Sequence, residues 1–186
     1  MDQRRLVERA REGDHDAFAE LVRACVARLD TAARLILRDN ELARDAVQEG
    51  LFRAWRDLRS LRDPDRFDAW VYRLTVNACL DLARRRRRRP MEVEIVELHG
   101  PTFDDPADAV ANRALVDRVL QRLDEQGRSI IVLHFFLGLP LSEVAACLGT
   151  PVGTVKSRLN RALGDMRAEA AAAVPVASLA SGGTAG

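Results

Sequence analysis

The sequence predicts an all-α chain: two small helical domains joined by a flexible acidic linker, the second ending in a helix-turn-helix. Three observations carry that prediction. Apolar residues recur every three or four positions in segment after segment, the period of a helix with one buried face. All seven prolines fall at helix starts or between helical segments, so no strand is required. Aromatics are only 5% of the residues while Ala, Leu and Arg abound, a balance that favours helix over sheet.

In chain order, a short first helix runs over 6–11 and breaks at Gly13-Asp14. Asp14 or Asp16 caps a longer helix over 17–37, with Phe18, Leu21, Val22, Cys25, Leu29, Ala33 and Ile36 facing inward. After a turn at Asp39-Asn40, a third helix runs over 41–58 and buries Ala43, Val47, Leu51, Ala54, Trp55 and Leu58. Its other face carries Gln48, Glu49, Phe52, Arg53 and Arg56. A large aromatic framed by polar groups suits a protein-docking hot spot, although a single exposed Phe is also ordinary.

A loop over 60–65 ends at Asp63-Pro64. The fourth helix, 66–88, points Phe67, Trp70, Val71, Leu74, Ala78 and Leu82 inward, with Arg73, Asn77, Asp81 and Arg84 along its outer face. Six arginines, Arg84 to Arg89, close it. Cations there suit the helix dipole and form a dense phosphate-binding cluster. Pro90 stops the helix, and 91–110 has no sustained period.

The second domain begins near Ala111 with a helix carrying Leu115, Val116, Val119, Leu120 and Leu123. Asp124 caps the next helix, which holds Ile130, Ile131, Leu133, His134 and Leu137. Gly138 and Pro140 separate it from the stretch LPLSEVAACLGTPVGTVKSRLNRALGDM. There Leu141, Val144, Ala145 and Leu148 form one helical stripe, with Ser142 as cap and Gly149 as terminator. Thr150 is a second cap, with Pro151 at the first helical position. The second helix buries Val152, Val155, Leu159, Leu163 and Met166 and exposes Thr154, Lys156, Ser157, Asn160 and Arg161. Lys and Arg reach guanine edges or phosphates and Asn pairs with adenine, so this is a helix made for the major groove. The competing reading is a hairpin whose polar face is merely solvated. Beyond 171 the Ala-, Ser- and Gly-rich tail is expected to be disordered.

The net charge of +1 conceals unlike parts. Residues 1–90 hold 21 Arg against 16 acids, 91–110 hold six acids and no Lys or Arg, and 111–186 hold eight basic against six acidic residues. Two basic blocks are thus joined by an acidic strap. The same composition excludes much else. No apolar run approaches ~18 residues, so no membrane insertion is expected. The N-terminus has no apolar core of a signal peptide. Cys25, Cys79 and Cys147 fit neither a disulfide framework nor a zinc site and read as packed, reduced thiols in a cytoplasmic protein. His15, His99 and His134 are scattered, His134 reading as a packed histidine. No glycine-rich phosphate loop or nucleophile elbow is present. No catalytic residue, metal site, cofactor or small-molecule substrate is predicted.

From Gly13 to Met166 the chain resembles an extracytoplasmic-function, or group 4, RNA polymerase sigma factor of the sigma-70 family. Three motifs carry the resemblance. Asp45-Ala46-Val47-Gln48-Glu49, continuing through Phe52-Arg53-Ala54-Trp55, is similar to the region that docks on the polymerase clamp. Phe67-Asp68-Ala69-Trp70-Val71-Tyr72-Arg73-Leu74-Thr75-Val76-Asn77 resembles the segment that melts and reads the promoter minus-ten element. Gly153-Thr154-Val155-Lys156-Ser157-Arg158-Leu159, followed by Asn160-Arg161-Ala162, resembles the helix that reads the minus-thirty-five element.

The resemblance implies domains at 1–90 and 111–170, a linker at 91–110 and a tail at 171–186. It implies contacts to core RNA polymerase from Asp45, Gln48, Glu49, Phe52 and Arg53. Minus-ten DNA would meet Arg62, Arg73, Asn77, Asp81, Arg84 and Arg85, with Asn77 and the loop 60–66 capturing a flipped base. Thr154, Lys156, Ser157, Asn160 and Arg161 would meet the minus-thirty-five duplex. The acidic linker would thread the polymerase channel, and an anti-sigma factor would hold the chain inactive. The family commonly has Leu-Pro where this chain has Leu123-Asp124, and an aromatic or polar residue where Pro140-Leu141 stand. The runner-up is a helix-turn-helix regulator that binds duplex DNA as a dimer without polymerase. A third reading, a small enzyme carrying a DNA-binding tail, lacks any active-site candidate.

Overall fold

An aspartate begins helix after helix. In the computed structural model, which describes residues 2–88 and 118–173 without the side chains of 170–173, five elements open on one. The Asp2 carboxylate accepts from the Arg4 N–H, Asp14 from Ala17, Asp39 from Glu41 and Leu42, Asp63 from Asp65, and Asp124 from Gly127. Each satisfies a backbone donor that has no partner in the first turn and places negative charge at the positive end of the helix.

The first-half helices are α1 (Gln3–Arg11), α2 (His15–Leu37), α3 (Asn40–Asp57) and α4 (Phe67–Arg88), the last following the turn that Asp63 caps. The connection between α3 and α4, expected as a plain loop, holds two short 3-10 turns, Leu58–Ser60 and Pro64–Arg66. Residues 118–122 are helical. Then come α5 (Glu125–Ile131), α6 (Leu141–Leu148) and α7 (Val152–Ala173). There is no strand among the described residues. The linker, the helix start over 111–117 and most of the expected tail lie outside them.

In the first half α3 and α4 cross closely. At Gly50 a Cβ would stand 2.4 Å from Thr75 Oγ1 and 2.8 Å from its Cα, so only glycine permits the approach. Helix α2 packs across the pair and α1 against α2. Leu29, Ile36, Leu58, Phe67, Val71 and Val76 are among the fully buried side chains at the centre. Gln3 Nε2 donates to the Pro64 carbonyl at 3.2 Å, tying α1 to the second 3-10 turn. In the second half α5, α6 and α7 close on Ile130, Leu133, Val144, Val155 and Leu159. Buried residues of both halves belong to one continuous core, because α6 packs on α4 and α5 on α2.

The structure corrects several local expectations, one of them Val152, which is expected in the buried stripe of the last helix and is exposed. Ser142 does not cap α6: the N-cap is Pro140, which makes no side-chain bond, and the Glu143 and Val144 N–H groups donate to its carbonyl. Thr150 does not cap α7; its hydroxyl donates to the Leu148 carbonyl at 3.2 Å, and Pro151 accepts the first helical bond, from Val155. The α-helix expected to run to Leu137 ends at Ile131 and widens into a π turn, Val132–Phe136. Leu137 donates to the Val132 carbonyl there, and His134 Nδ1 lies 2.8 Å from the Leu139 carbonyl, to which it must donate. The turn leaves Phe135 and Phe136 exposed and His134 half-buried. Finally, Trp70, Leu74 and Leu82 are only partly buried, while Tyr72, Thr75, Cys79 and Leu80 are buried. Helix α4 is flanked on several sides, so its buried surface is wider than one stripe.

Candidate nucleic-acid interface

Three faces carry the residues singled out in the sequence. On α3, Asp45, Gln48 and Glu49 are exposed and Arg53 is half-buried, all around Phe52, which is 57% exposed. Helical spacing of three and four residues puts them on one side. The Arg56 guanidinium lies 5.9 Å from the Phe52 ring centre. Arg53 Nε donates to Glu49 at 2.6 Å, and its Nη1 is 3.8 Å from Asp81 of α4. The α3 face therefore shares a charged seam with the next face.

That second face is the outer surface of α4. Asn77 is half-buried in a groove whose sides include Arg53, Arg73, Arg84 and, from the other half of the chain, Gly149. Asp81 lies 3.5 Å from Arg84, so it stands between two arginines rather than facing open solvent. A carboxylate repels phosphate but orients neighbouring guanidiniums, and the geometry gives Asp81 the latter work. A neighbouring groove joins Arg62, Arg66, Trp70 and Arg73 to Glu143 and Cys147. Trp70 is the member sequence reasoning missed. Its apolar period assigned it to the core, yet its spacing to Arg73 and Asn77 is equally helical, and an aromatic beside cations can stack an unpaired base. Arg84 and Arg85 are exposed, whereas Arg86 pairs with Asp39 at 3.2 Å and Arg87 pairs with Glu125.

The third face is on α7. Lys156, Ser157, Asn160 and Arg161 are exposed in a single patch and Thr154 is half-buried beside them. Ser157 donates to the Thr154 carbonyl at 2.9 Å, which leaves its oxygen able to accept. Val155 and Leu159 are buried beneath and Gly149, at φ 59°, makes the tight turn that sets α7 against α6.

Burial pushes the Cys25 and Cys79 thiols up to about 12 and the Cys147 thiol up to about 11, so none is a ready nucleophile. Among the described residues no group of His, Cys, Asp and Glu is placed to hold a metal ion. None of the described helices is long and apolar enough to cross a membrane.

Comparison with known proteins decides the family. Residues 21–89 match Sigma-70 region 2 and residues 113–166 match Sigma-70, region 4. The chain is 37% identical over 150 residues to the ECF RNA polymerase sigma factor SigM of Mycobacterium tuberculosis, covering 81% of this chain and 75% of that one. The chain belongs to the ECF RNA polymerase sigma factors. It is also 30% identical over 167 residues to "Probable RNA polymerase sigma factor RfaY" of Xanthomonas campestris pv. campestris, covering 86% of this chain but only 42% of that relative. The solved structure of CnrH, in complex with the cytosolic domain of CnrY, superposes at a TM-score of 0.67 with 31% identity, over 92% of this chain and 99% of that one. In this sigma factor the α3 and α4 faces fall in the region 2 match and the α7 face in the region 4 match.

Proposed function

We propose that this sigma factor binds core RNA polymerase through Asp45, Gln48, Glu49, Phe52 and Arg53, directs it to promoters and promotes their melting. Arg62, Arg73, Asn77, Arg84 and Arg85 meet the minus-ten element, the arginines on phosphates and Asn77 on an extruded base edge, with Asp81 holding Arg53 and Arg84 in position. Thr154, Lys156, Ser157, Asn160 and Arg161 read the minus-thirty-five duplex. The domain limits are 1–90 and 111–170, with the acidic linker in the polymerase channel. The chain works in the cytoplasm and performs no reaction itself; the polymerase does the chemistry. An anti-sigma factor that covers the docking and DNA faces would silence it.

The observation that carries this reading is Phe52, exposed at the centre of a polar rim on a helix that also bears one side of the DNA groove. The test is co-purification with bacterial core polymerase, comparing the native chain with the double variant Phe52→Ala, Arg53→Ala. Loss of a hot spot worth about 2 kcal/mol weakens core binding roughly 30-fold. Unchanged affinity in the double variant sinks the docking assignment.

A further inference from the structure

The segment that leads into α4 is held from behind. Leu58, Leu61, Pro64 and Phe67 are buried at intervals of three, the period of a 3-10 helix, so the two short turns lay one face on the core. Ser60, Arg62 and Asp63 line the groove that also holds Trp70 and Arg73. Arg73 lines the groove of Asn77 as well, so the two grooves meet there. The segment thus has a packed back and a front that looks into the surface assigned to the minus-ten strand.

Helix α1 supplies the back. Gln3 Nε2 donates to the Pro64 carbonyl at 3.2 Å and to the Asp65 carbonyl at 3.3 Å. The Arg4 guanidinium pairs with the Asp65 carboxylate and lies 3.7 Å from that of Asp63. At the other end of α1, Arg11 donates to the Leu61 carbonyl, and Arg59 Nε returns a bond to the Arg11 carbonyl at 3.4 Å. Leu6, Val7 and Ala10, buried between these ends, fix α1 itself to the core. One helix therefore grips the segment at both of its turns.

Exposed ion pairs contribute little singly. Short 3-10 turns are weak elements on their own, and donors that hold their carbonyls decide how often they open. We propose that α1 is a brace for base selection: Gln3, Arg4 and Arg11 are positioning residues that hold 58–66 in the shape that accepts an extruded base beside Arg73 and Asn77. The positioning role rests on the assignment of that base given above; the brace does not. A segment set in advance has already met the ordering cost that a loose one meets when DNA arrives. If loss of the brace leaves it competent about a tenth of the time, a preference of about tenfold for one base shrinks to about twofold. Phosphate contacts from Arg73 and Arg84 are blind to sequence and stay.

The same variants are read in two ways. The first is hydrogen exchange of the full chain, followed by peptide mass spectrometry. Arg4→Asp puts a third carboxylate beside those of Asp63 and Asp65. Peptides covering 58–66 are expected to exchange about tenfold faster, with α2 and α3 unchanged. The swap Arg4→Asp, Asp65→Arg is expected to restore protection. Arg5→Asp, the same charge change at an exposed neighbour, is expected to behave as the native chain in both readings. Native exchange over 58–66 in Arg4→Asp overturns the brace. Should Arg4→Asp speed exchange throughout the first half, Gln3→Ala is read by the same criterion.

The second reading is base preference. The chain assembled with bacterial core polymerase retains DNA from a fork-junction library randomised in the non-template strand, and the retained strands are sequenced. The native chain is expected to favour one base about tenfold at one position, Arg4→Asp about twofold, and the swap about tenfold again, with total retained DNA changing less than about twofold. Asn77→Ala is expected to lose the preference while 58–66 exchanges at the native rate. If Asn77→Ala loses it and Arg4→Asp, with its faster exchange, keeps it, the positioning role is overturned and the assignment of Asn77 stands. If Asn77→Ala keeps it, the assignment fails and the positioning role with it, and the brace stands on the exchange result.

Discussion

The outer faces of α4 and α7 look alike in sequence and differ in the folded chain. Each sets basic side chains and an asparagine at helical spacing: Arg73, Asn77 and Arg84 on one, Lys156, Asn160 and Arg161 on the other. On α7 that face is open, and the bond Ser157 makes is to its own helix. On α4 the same kind of face is occupied. Asp81 engages Arg53 and Arg84, and α6 stands across the groove from Asn77. Period tells which residues share a side; neighbours supplied by distant sequence decide whether that side is available. Under the proposed assignment one helix reads duplex DNA and the other melted DNA, and such a difference suits that order, because the second substrate exists only after the first has been found.

The largest effect expected comes from breaking the base on which the α4 face is built. Gly50→Ala forces a methyl group into Thr75 and should destabilise the first half by about 2 kcal/mol, more than the roughly 1 kcal/mol that alanine gains in helix propensity. Urea unfolding measures it; an unchanged midpoint would mean that the two helices do not cross as closely as described. Duplex binding by α7 should hardly change.

A smaller effect sharpens the comparison directly. Asn160→Ala and Arg161→Ala should each weaken minus-thirty-five duplex binding by about 1 kcal/mol and leave single-strand binding unchanged. Asn77→Ala should instead lose single-strand affinity and spare duplex binding. Fluorescence anisotropy on both probes checks this, and a loss of duplex affinity in Asn77→Ala would contradict it.

The smallest effect concerns the caps that both halves share. The Ala17 N–H and the Arg9 guanidinium hold the Asp14 carboxyl below the usual carboxylate range. A depressed folded pKa gives stability that is present above the unfolded value of about 3.9 and is lost as pH falls through the folded one. Asp14→Asn keeps a capping oxygen but does not titrate. Its urea midpoint should therefore fall less steeply than that of the native chain between about pH 5 and pH 3. Parallel slopes would show that Asp14 is not the group responsible.

The caps also show what is legible in a sequence. Asp14, Asp124 and Gly149 stand where the local pattern put them, because a cap is a bargain among residues two to four apart. Ser142 and Thr150 failed for a reason just as local: Pro140, two positions before Ser142, and Pro151, one after Thr150, supply the carbonyls that start the helices. Trp70 failed for a different one. An apolar residue at helical spacing is assigned inward, and nothing nearby in the chain tells that α4 has a groove on that side. Gly50 gave no warning at all, since a helical glycine is informative only once the crossing partner, Thr75, is known.

The sequence by itself determined the helices, their order, their polar faces and the family to which they belong, since propensity, capping and period act over a few residues and motifs survive as strings. Only the tertiary structure decided which of those faces stay open. Arg128 reaches Ile36 across 92 positions of sequence, and Arg66 reaches Glu143 across 77. Buried charge and desolvated carbonyls at such separations are matched by the packing of whole helices, and no local pattern records them.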